Sequence, residues 1–307
     1  MLAIRITIDA GCRSSRWLSS PVNCSSYARS SVSIAALAAA MLVCGTSAVS
    51  AQSGVLGTAQ QFGVLGASTV TNTGSSVIKG DLGLYAGTSI TGFPPGTVLG
   101  TVHQTDGVAQ LGEHDARAAY TSLAALAPTR TLTGLDLGTV SSASSPLTPG
   151  VYFFASSAQL TGDLFLDFTG SAPNSMFVFQ IGSALTTASD SRVFVSGGSA
   201  GSGIFWLTEG TGGSATLGDN TAFQGNIISN ISVSLDGAAS ICGRAIALTG
   251  GVTMINNAVT NDCGEADFGS MGFSGGRSST VPEPASIALL GTGMVGLVPI
   301  VRRRRKS

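Results

Sequence analysis

Short stretches of the chain alternate apolar and polar residues with a period of two and then meet Gly, Asn or Asp, the pattern of a half-buried strand followed by a corner. The stretches repeat. Ser214-Ala215-Thr216-Leu217 aligns with Ser232-Val233-Ser234-Leu235 at an offset of 18, and Phe223-Gln224-Gly225 with Ile241-Cys242-Gly243 at the same offset. Gly251-Val252-Thr253-Met254 follows after 19, and looser copies stand earlier at Ser183-Ala184-Leu185-Thr186 and Ala158-Gln159-Leu160-Thr161. A period near 18 suits one coil of a β-solenoid with three short sides, in which each coil buries its apolar face by stacking on its neighbours. The alternation also fixes direction. In Val233-Ser234-Leu235 the aliphatics point inward, so Ser232 and Ser234 point out. The same register turns Ser214 and Thr216, Thr253 and Thr186 outward. Residues 104–127 break the pattern: Val108, Leu111, Ala118, Ala119, Tyr120, Leu123 and Leu126 recur at spacings of three and four. This predicts one amphipathic helix packed along the solenoid, with Thr105 or Asp106 capping its start and Pro128 stopping it. It divides a first part, about 55–102, from a second, about 145–262.

The two ends have other uses. Residues 1–51 read as a signal peptide: Arg5, Arg13, Arg16 and Arg29 oppose one acid, Asp9, an apolar run follows, and Val49 and Ala51 fit a signal-peptidase site before Gln52. Cys44 follows Val43, where a lipoprotein would need a small residue. At the other end, Val281-Pro282-Glu283-Pro284 precedes an apolar stretch, 285–301, just long enough to span a bilayer, and then Arg302 to Lys306. These parts together resemble the PEP-CTERM sorting signal of Gram-negative bacteria. That resemblance implies a transmembrane segment at 285–301, processing by an exosortase, transient anchoring in the inner membrane, and delivery to the cell surface or beyond. Residues 264–280, rich in Gly and Ser, read as a linker.

Composition sharpens this. The 307 residues contain 42 Gly and only 10% charged residues, against roughly 25% in ordinary domains. The net charge of −1 is a cancellation between basic ends and an acidic middle: residues 52–280 hold six basic and fourteen acidic residues, with Lys79 as the single lysine. That argues against nucleic acid as a partner, which needs a basic face. Of five cysteines, Cys242 and Cys263 remain after the signal is removed, lie about one coil apart, and in an oxidising compartment suggest one disulfide. The two histidines, His103 and His114, read as solvated or capping residues, and too few ligands exist for a metal site. No enzyme constellation is visible. Asp163 and Asp167 lie in one coil without matched carboxylates on the next, no Gly-x-Ser-x-Gly elbow occurs, and Gly197 to Gly201 lacks the lysine and helix of a phosphate loop. Neither enzymatic activity nor a cofactor is expected. Trp206 and Tyr152, the residues that could stack on a sugar, read as core or corner fillers. Arg244, after Gly243 at a corner, reads as a salt bridge or carbonyl cap between coils.

The stretch Phe62 to Gly74, with Gly80-Asp81-Leu82-Gly83, Ile90 to Gly96, Leu147 to Tyr152, Phe177 to Ile181, Gly225-Asn226-Ile227-Ile228 and Gly243-Arg244-Ala245, resembles the microbial ice-binding protein family. The resemblance implies a mainly β fold over residues 52–263. That fold is a right-handed, discontinuous β-solenoid of triangular cross-section, its first coils completed by the later ones and one long α-helix beside them. It also implies antifreeze activity on one flat face, and it adds Thr71 and Thr91 to the outward residues. The expected face is then Thr71, Thr91, Thr186, Ser214, Thr216, Ser232, Ser234 and Thr253, with ice or ordered water as its partner. Gln159, where a smaller rung belongs, and Asp236, outward near one edge, depart from the pattern. The alternative is a cell-surface or biofilm-matrix protein with the same fold, its partner an extracellular polysaccharide matrix.

Overall fold

The computed structural model describes residues 54–172, 174–198 and 202–261. The expected signal peptide, linker and sorting tail, and Cys263, lie outside them. Among the described residues no helix is long and apolar enough to cross a membrane, and the 285–301 stretch is not among them.

The fold is mainly β, with parallel strands and one long helix. Seven short strands form one sheet, in the order Ala158–Leu160, Leu185–Thr187, Ala215–Leu217, Val233–Leu235, Val252–Ile255, Thr69–Thr73 and Ser89–Thr91. All pairs are parallel. The remaining strands belong to a fourteen-stranded sheet with two branches. Ala222–Ser229 and Ser240–Ala247 pair along their whole length and join those branches. The first half of Ser240–Ala247 continues to Ala258–Thr260, and its second half continues to Phe62–Gly66. Where the halves meet stand Gly225 and Gly243, opposite each other, with φ of 115° and 144°. A Cβ at Gly243 would collide with the Gly225 carbonyl oxygen, and one at Gly225 would lie 2.6 Å from Trp206 Nε1. Glycine alone combines this backbone with so close a stack.

The inward residues form ladders. Ala158, Leu185, Ala215, Val233, Val252 and Val70 are neighbours in register and buried. Thr187, the one inward hydroxyl in these strands, shares a 2.8 Å bond with the Thr221 hydroxyl and accepts from the Gly218 N–H at 3.0 Å. Rings run through the core from coil to coil. Phe179 stacks on Trp206 at 3.8 Å and on Tyr152 at 5.2 Å. Trp206 is fully buried and its indole N–H donates to Gln224 O at 3.0 Å. Both Trp206 and Tyr152 are therefore core residues.

The helix spans Gly107–Ala124, shorter at both ends than the periodicity suggests. Gln104 ends the strand Val102–Gln104, Thr105 turns the chain at φ 55°, and Asp106 caps the helix by accepting from the N–H groups of Val108 and Ala109. His103 Nδ1 lies 2.7 Å from Asp106 Oδ2, which makes it part of the cap, whereas His114 is exposed. The buried face also differs from the expected one. It comprises Ala109, Gly112, Glu113, Ala116, Ala119 and Leu123, while Val108 and Leu111 are 40% and 50% exposed. The cause is steric. The helix lies on a branch already crowded with Phe62, Leu65, Phe205 and Ile246, so small residues must face it. A Cβ at Gly112 would come within 2.6 Å of the Phe62 ring. Gln180 Nε2 donates to the carbonyls of Leu123 and Leu126, each at 2.9 Å, and so pins the helix end to the sheet.

The stack is discontinuous in sequence. Thr69–Thr73 pairs with Val252–Ile255, and Val77–Lys79 with Ala258–Thr260, so the earliest coils stack on the latest. At this splice Arg244, fully buried, donates from Nε and Nη2 to Gln60 O at 3.0 and 2.7 Å and from Nη1 to Asn226 Oδ1 at 2.8 Å. Asn261 Nδ2 adds bonds to Gln60 O and Gln61 O. The carbonyl-cap reading of Arg244 holds, and it caps across the break in chain order. The later coils also begin before residue 145: Arg130–Thr131 pairs with Gly150–Phe154, and Asp136 bridges Gln159.

Candidate functional site

The seven-stranded sheet turns one side to the core and the other outward. On its outer side one register row runs Gln159, Thr186, Thr216, Ser234, Thr253, Thr71, Thr91, each opposite the next. Six consecutive rungs carry hydroxyls at the strand spacing of about 4.8 Å. Thr71, Thr91, Thr186 and Thr253 are exposed, and Thr216 and Ser234 half-buried. The five threonines are β-branched with few rotamers, and with Ser234 they stand on a packed core, so the row is stiff.

A second row lies two residues earlier on each strand. The bonds Leu185 N to Ser214 O, Ala215 N to Ser232 O and Val233 N to Gly251 O tie its members together, and Thr69 stands opposite Ser89. It comprises Ala184, Ser214, Ser232, Gly251, Thr69 and Ser89. The row is uniformly small, and at its middle a Cβ on Gly251 would collide with Thr69 Oγ1. Thr69 and Ser89 were missed by the sequence reading. The signal was present, since Thr69-Val70-Thr71 and Ser89-Ile90-Thr91 repeat the same alternation.

Hydrogen bonding separates this face from other hydroxyls. The buried Thr208 and Thr221 hydroxyls bond within the protein. The hydroxyls of Thr71, Thr91, Thr186, Thr216, Ser234 and Thr253 have no partner among the described residues, so their bonds are left to water. Ser232 Oγ accepts weakly from Gly251 N–H at 3.3 Å. Neither row contains a charged side chain. Asp236 stands half-buried beyond Leu235 at one margin. Gln159 ends the row, its amide bent to Thr161 Oγ1 at 3.3 Å.

Displaced ionisation lies elsewhere. Glu113, on the covered side of the helix, is 6% exposed, and neither carboxylate oxygen has a hydrogen-bond partner among the described residues. Burial pushes its carboxyl up to about 8, opposed by the Arg117 charge. Among the described residues no three His, Cys, Asp or Glu side chains gather as metal ligands. Cys242 is disulfide-bonded, and its expected partner Cys263 lies outside the described residues.

Residues 64–260 match the ice-binding-like family, and residues 280–306 match the PEP-CTERM protein-sorting motif. An ice-binding protein of Nostoc sp. (strain HG1) is 49% identical over 261 residues, covering 84% of this chain and 90% of the relative. A solved ice-binding protein from an Antarctic biological consortium is 40% identical with a TM-score of 0.60, covering 67% of this chain and 89% of that one. The solved ice-binding protein of the Antarctic ascomycete Antarctomyces psychrotrophicus is 35% identical with a TM-score of 0.58, covering 67% and 96%.

Proposed function

Given that the chain belongs to the ice-binding-like family, we propose that it is an exported ice-binding protein acting through the outer side of its seven-stranded sheet. The observation that carries this reading is the unbroken row of six hydroxyls with no partner among the described residues. A rigid two-dimensional array of small groups holds a layer of water at regular spacings without the disorder that charges impose. Each water contact is weak, so many must act together, which a flat face permits and a curved or charged one does not. The second row extends the array in the strand direction, where alternate residues lie roughly 6.6–6.8 Å apart. Thr71, Thr91, Thr186, Ser214, Thr216, Ser232, Ser234 and Thr253 are the proposed contacts, now joined by Thr69 and Ser89.

The finer architecture belongs to the same proposal: a right-handed solenoid of triangular section, with one side for ice, one under the helix and one free. Residues 1–51 serve as signal peptide. Val281, Pro282, Glu283 and Pro284 open a sorting tail that an exosortase processes after transient anchoring through 285–301, and Cys242 pairs with Cys263. The match of 280–306 to a sorting motif supports the export reading.

Ice shaping and thermal hysteresis by the purified chain test the proposal. Faceted crystals and a freezing gap are expected. The double variant Thr216→Tyr with Thr253→Tyr should abolish both while leaving the melting curve unchanged. Round discs from the wild-type chain would instead favour the surface-matrix role, and full activity in the double variant would move the site off this face.

A further inference from the structure

The outer side of one branch of the larger sheet departs from the rest. Asp163–Asp167 and Arg192–Ser196 pair in register, placing Phe165 opposite Phe194 and Asp167 opposite Ser196. Leu164, Leu166 and Val193 point into the core, so these partners point out. The two rings stack at 5.1 Å with 11° between their planes, yet neither belongs to the hydrophobic core, and Phe194 is 41% exposed. A folded chain rarely leaves paired aromatic surface in water without a use. Beside them Ser142 and Ser145 exchange backbone bonds in a tight turn, and Ala143 and Pro146 wall a cleft of ≈ 370 Å³ over both rings. The opposite wall is polar. Asp167 Oδ1 accepts from Ser196 Oγ at 2.7 Å and from the Thr169 N–H at 2.9 Å, which fixes the carboxylate at the edge of the cleft. Hydrogen bonds from the Thr169 side chain and backbone and from Ser196 also hold this carboxyl below the usual range, so it is an anion near neutral pH.

The cleft therefore offers an apolar aromatic floor, a fixed anionic acceptor and the Ser196 hydroxyl. Its size falls in the range of small-ligand sites, roughly 300–1,000 Å³. Asp167, the one charged residue lining the cleft, disfavours anionic ligands such as nucleotides or acidic sugars, and the outward Asp163 at the far end of the strand pairs in register with Arg192. A neutral sugar ring matches each feature, since it has an apolar C–H face and donor hydroxyls around its edge. We infer that this cleft is a binding subsite for one ring of a neutral polysaccharide, seated against Phe165 and Phe194 with a hydroxyl donating to Asp167. The site lies on a different sheet from the hydroxyl ladder, so one molecule can hold a glycan and use the ladder at once.

The test is native gel electrophoresis of the full chain through gels containing soluble mixed-linkage β-glucan, xyloglucan or galactomannan. At least one should retard the wild type. Phe194→Ala and Asp167→Asn should each weaken that retardation about tenfold in apparent Kd. Both side chains stand outside the core, and circular dichroism melts should match the wild type. Thermal hysteresis should be unaffected, which separates this site from the ladder. Free mobility of the wild type in all three gels overturns the inference, as does retardation that both variants retain. A proline-rich peptide that binds the same cleft while the glucans do not would assign it to peptide instead.

Discussion

At the scale of single residues, the least expected finding is Glu113. Its spacing from Ala109, Gly112 and Ala116 places it on the covered helix face, but a search for apolar periodicity passes over a carboxylate. The sequence therefore showed a helix and concealed which side it buries. Its pH consequence has a definite sign. Below the ordinary value of 4.5 the carboxyl is protonated in both folded and unfolded chains. Between 4.5 and about 8 the unfolded chain loses the proton while the folded chain retains it, so stability falls as pH rises across this window and levels off above it. The expected loss is a few kcal/mol. Glu113→Gln should flatten that slope and stabilise the protein at pH 8, measured by urea denaturation at pH 4.5 and pH 8. Equal slopes in both proteins would show that Glu113 ionises freely in the fold. Gly243 is the opposite case, legible as a corner from the 18-residue repeat. Gly243→Ala should cost more than the about 1 kcal/mol of an ordinary strained glycine site, because its Cβ meets backbone rather than a movable side chain.

At the scale of elements, the outward row was legible because a strand's period of two leaves no freedom once the core face is known. Ala215 and Leu217, Val233 and Leu235, and Val252 and Met254 mark the inside, and the residue between each two had to point out. The helix face was less legible, since burial there is set by the bulk of Phe62 and Phe205 on a partner remote in sequence. The ladder also makes a constructive prediction. Gln159 is the one row member whose length breaks the array, and it pairs directly with Thr186. Gln159→Thr should add a seventh rung, and thermal hysteresis at equal concentration should rise. A fall would place the working boundary of the face inside Thr186.

At the scale of the whole molecule, the repeat foretold that coils 18 residues apart stack, but no periodicity says that Phe62–Gly66 docks on Ser240–Ala247. That order came from family resemblance, because the register of remote strands is written in complementary surfaces rather than in spacing. Arg244 is the buried side chain that ties the two parts together beside their strand pairings. Arg244→Met keeps most of the volume but removes the guanidinium donors from Gln60 O and Asn226 Oδ1, leaving Gln60 O only the long bond from Asn261, at an expected cost of about 3 kcal/mol in chemical denaturation. Hydrogen exchange should quicken first at Val64 to Gly66. Unchanged exchange there would mean that packing alone secures the splice.

The splice also sets a clock. Residues 62–104 hold the first strands to leave the ribosome, yet their seat, Ser240–Ala247, Val252–Ile255 and Ala258–Thr260, comprises the last strands to be made. The opening strands must wait through nearly the whole of synthesis, and in refolding their protection should not precede that of Ala245 to Ala247. The later coils can stack in the order they emerge, whereas the opening strands have no seat to dock on until the last coil has been made.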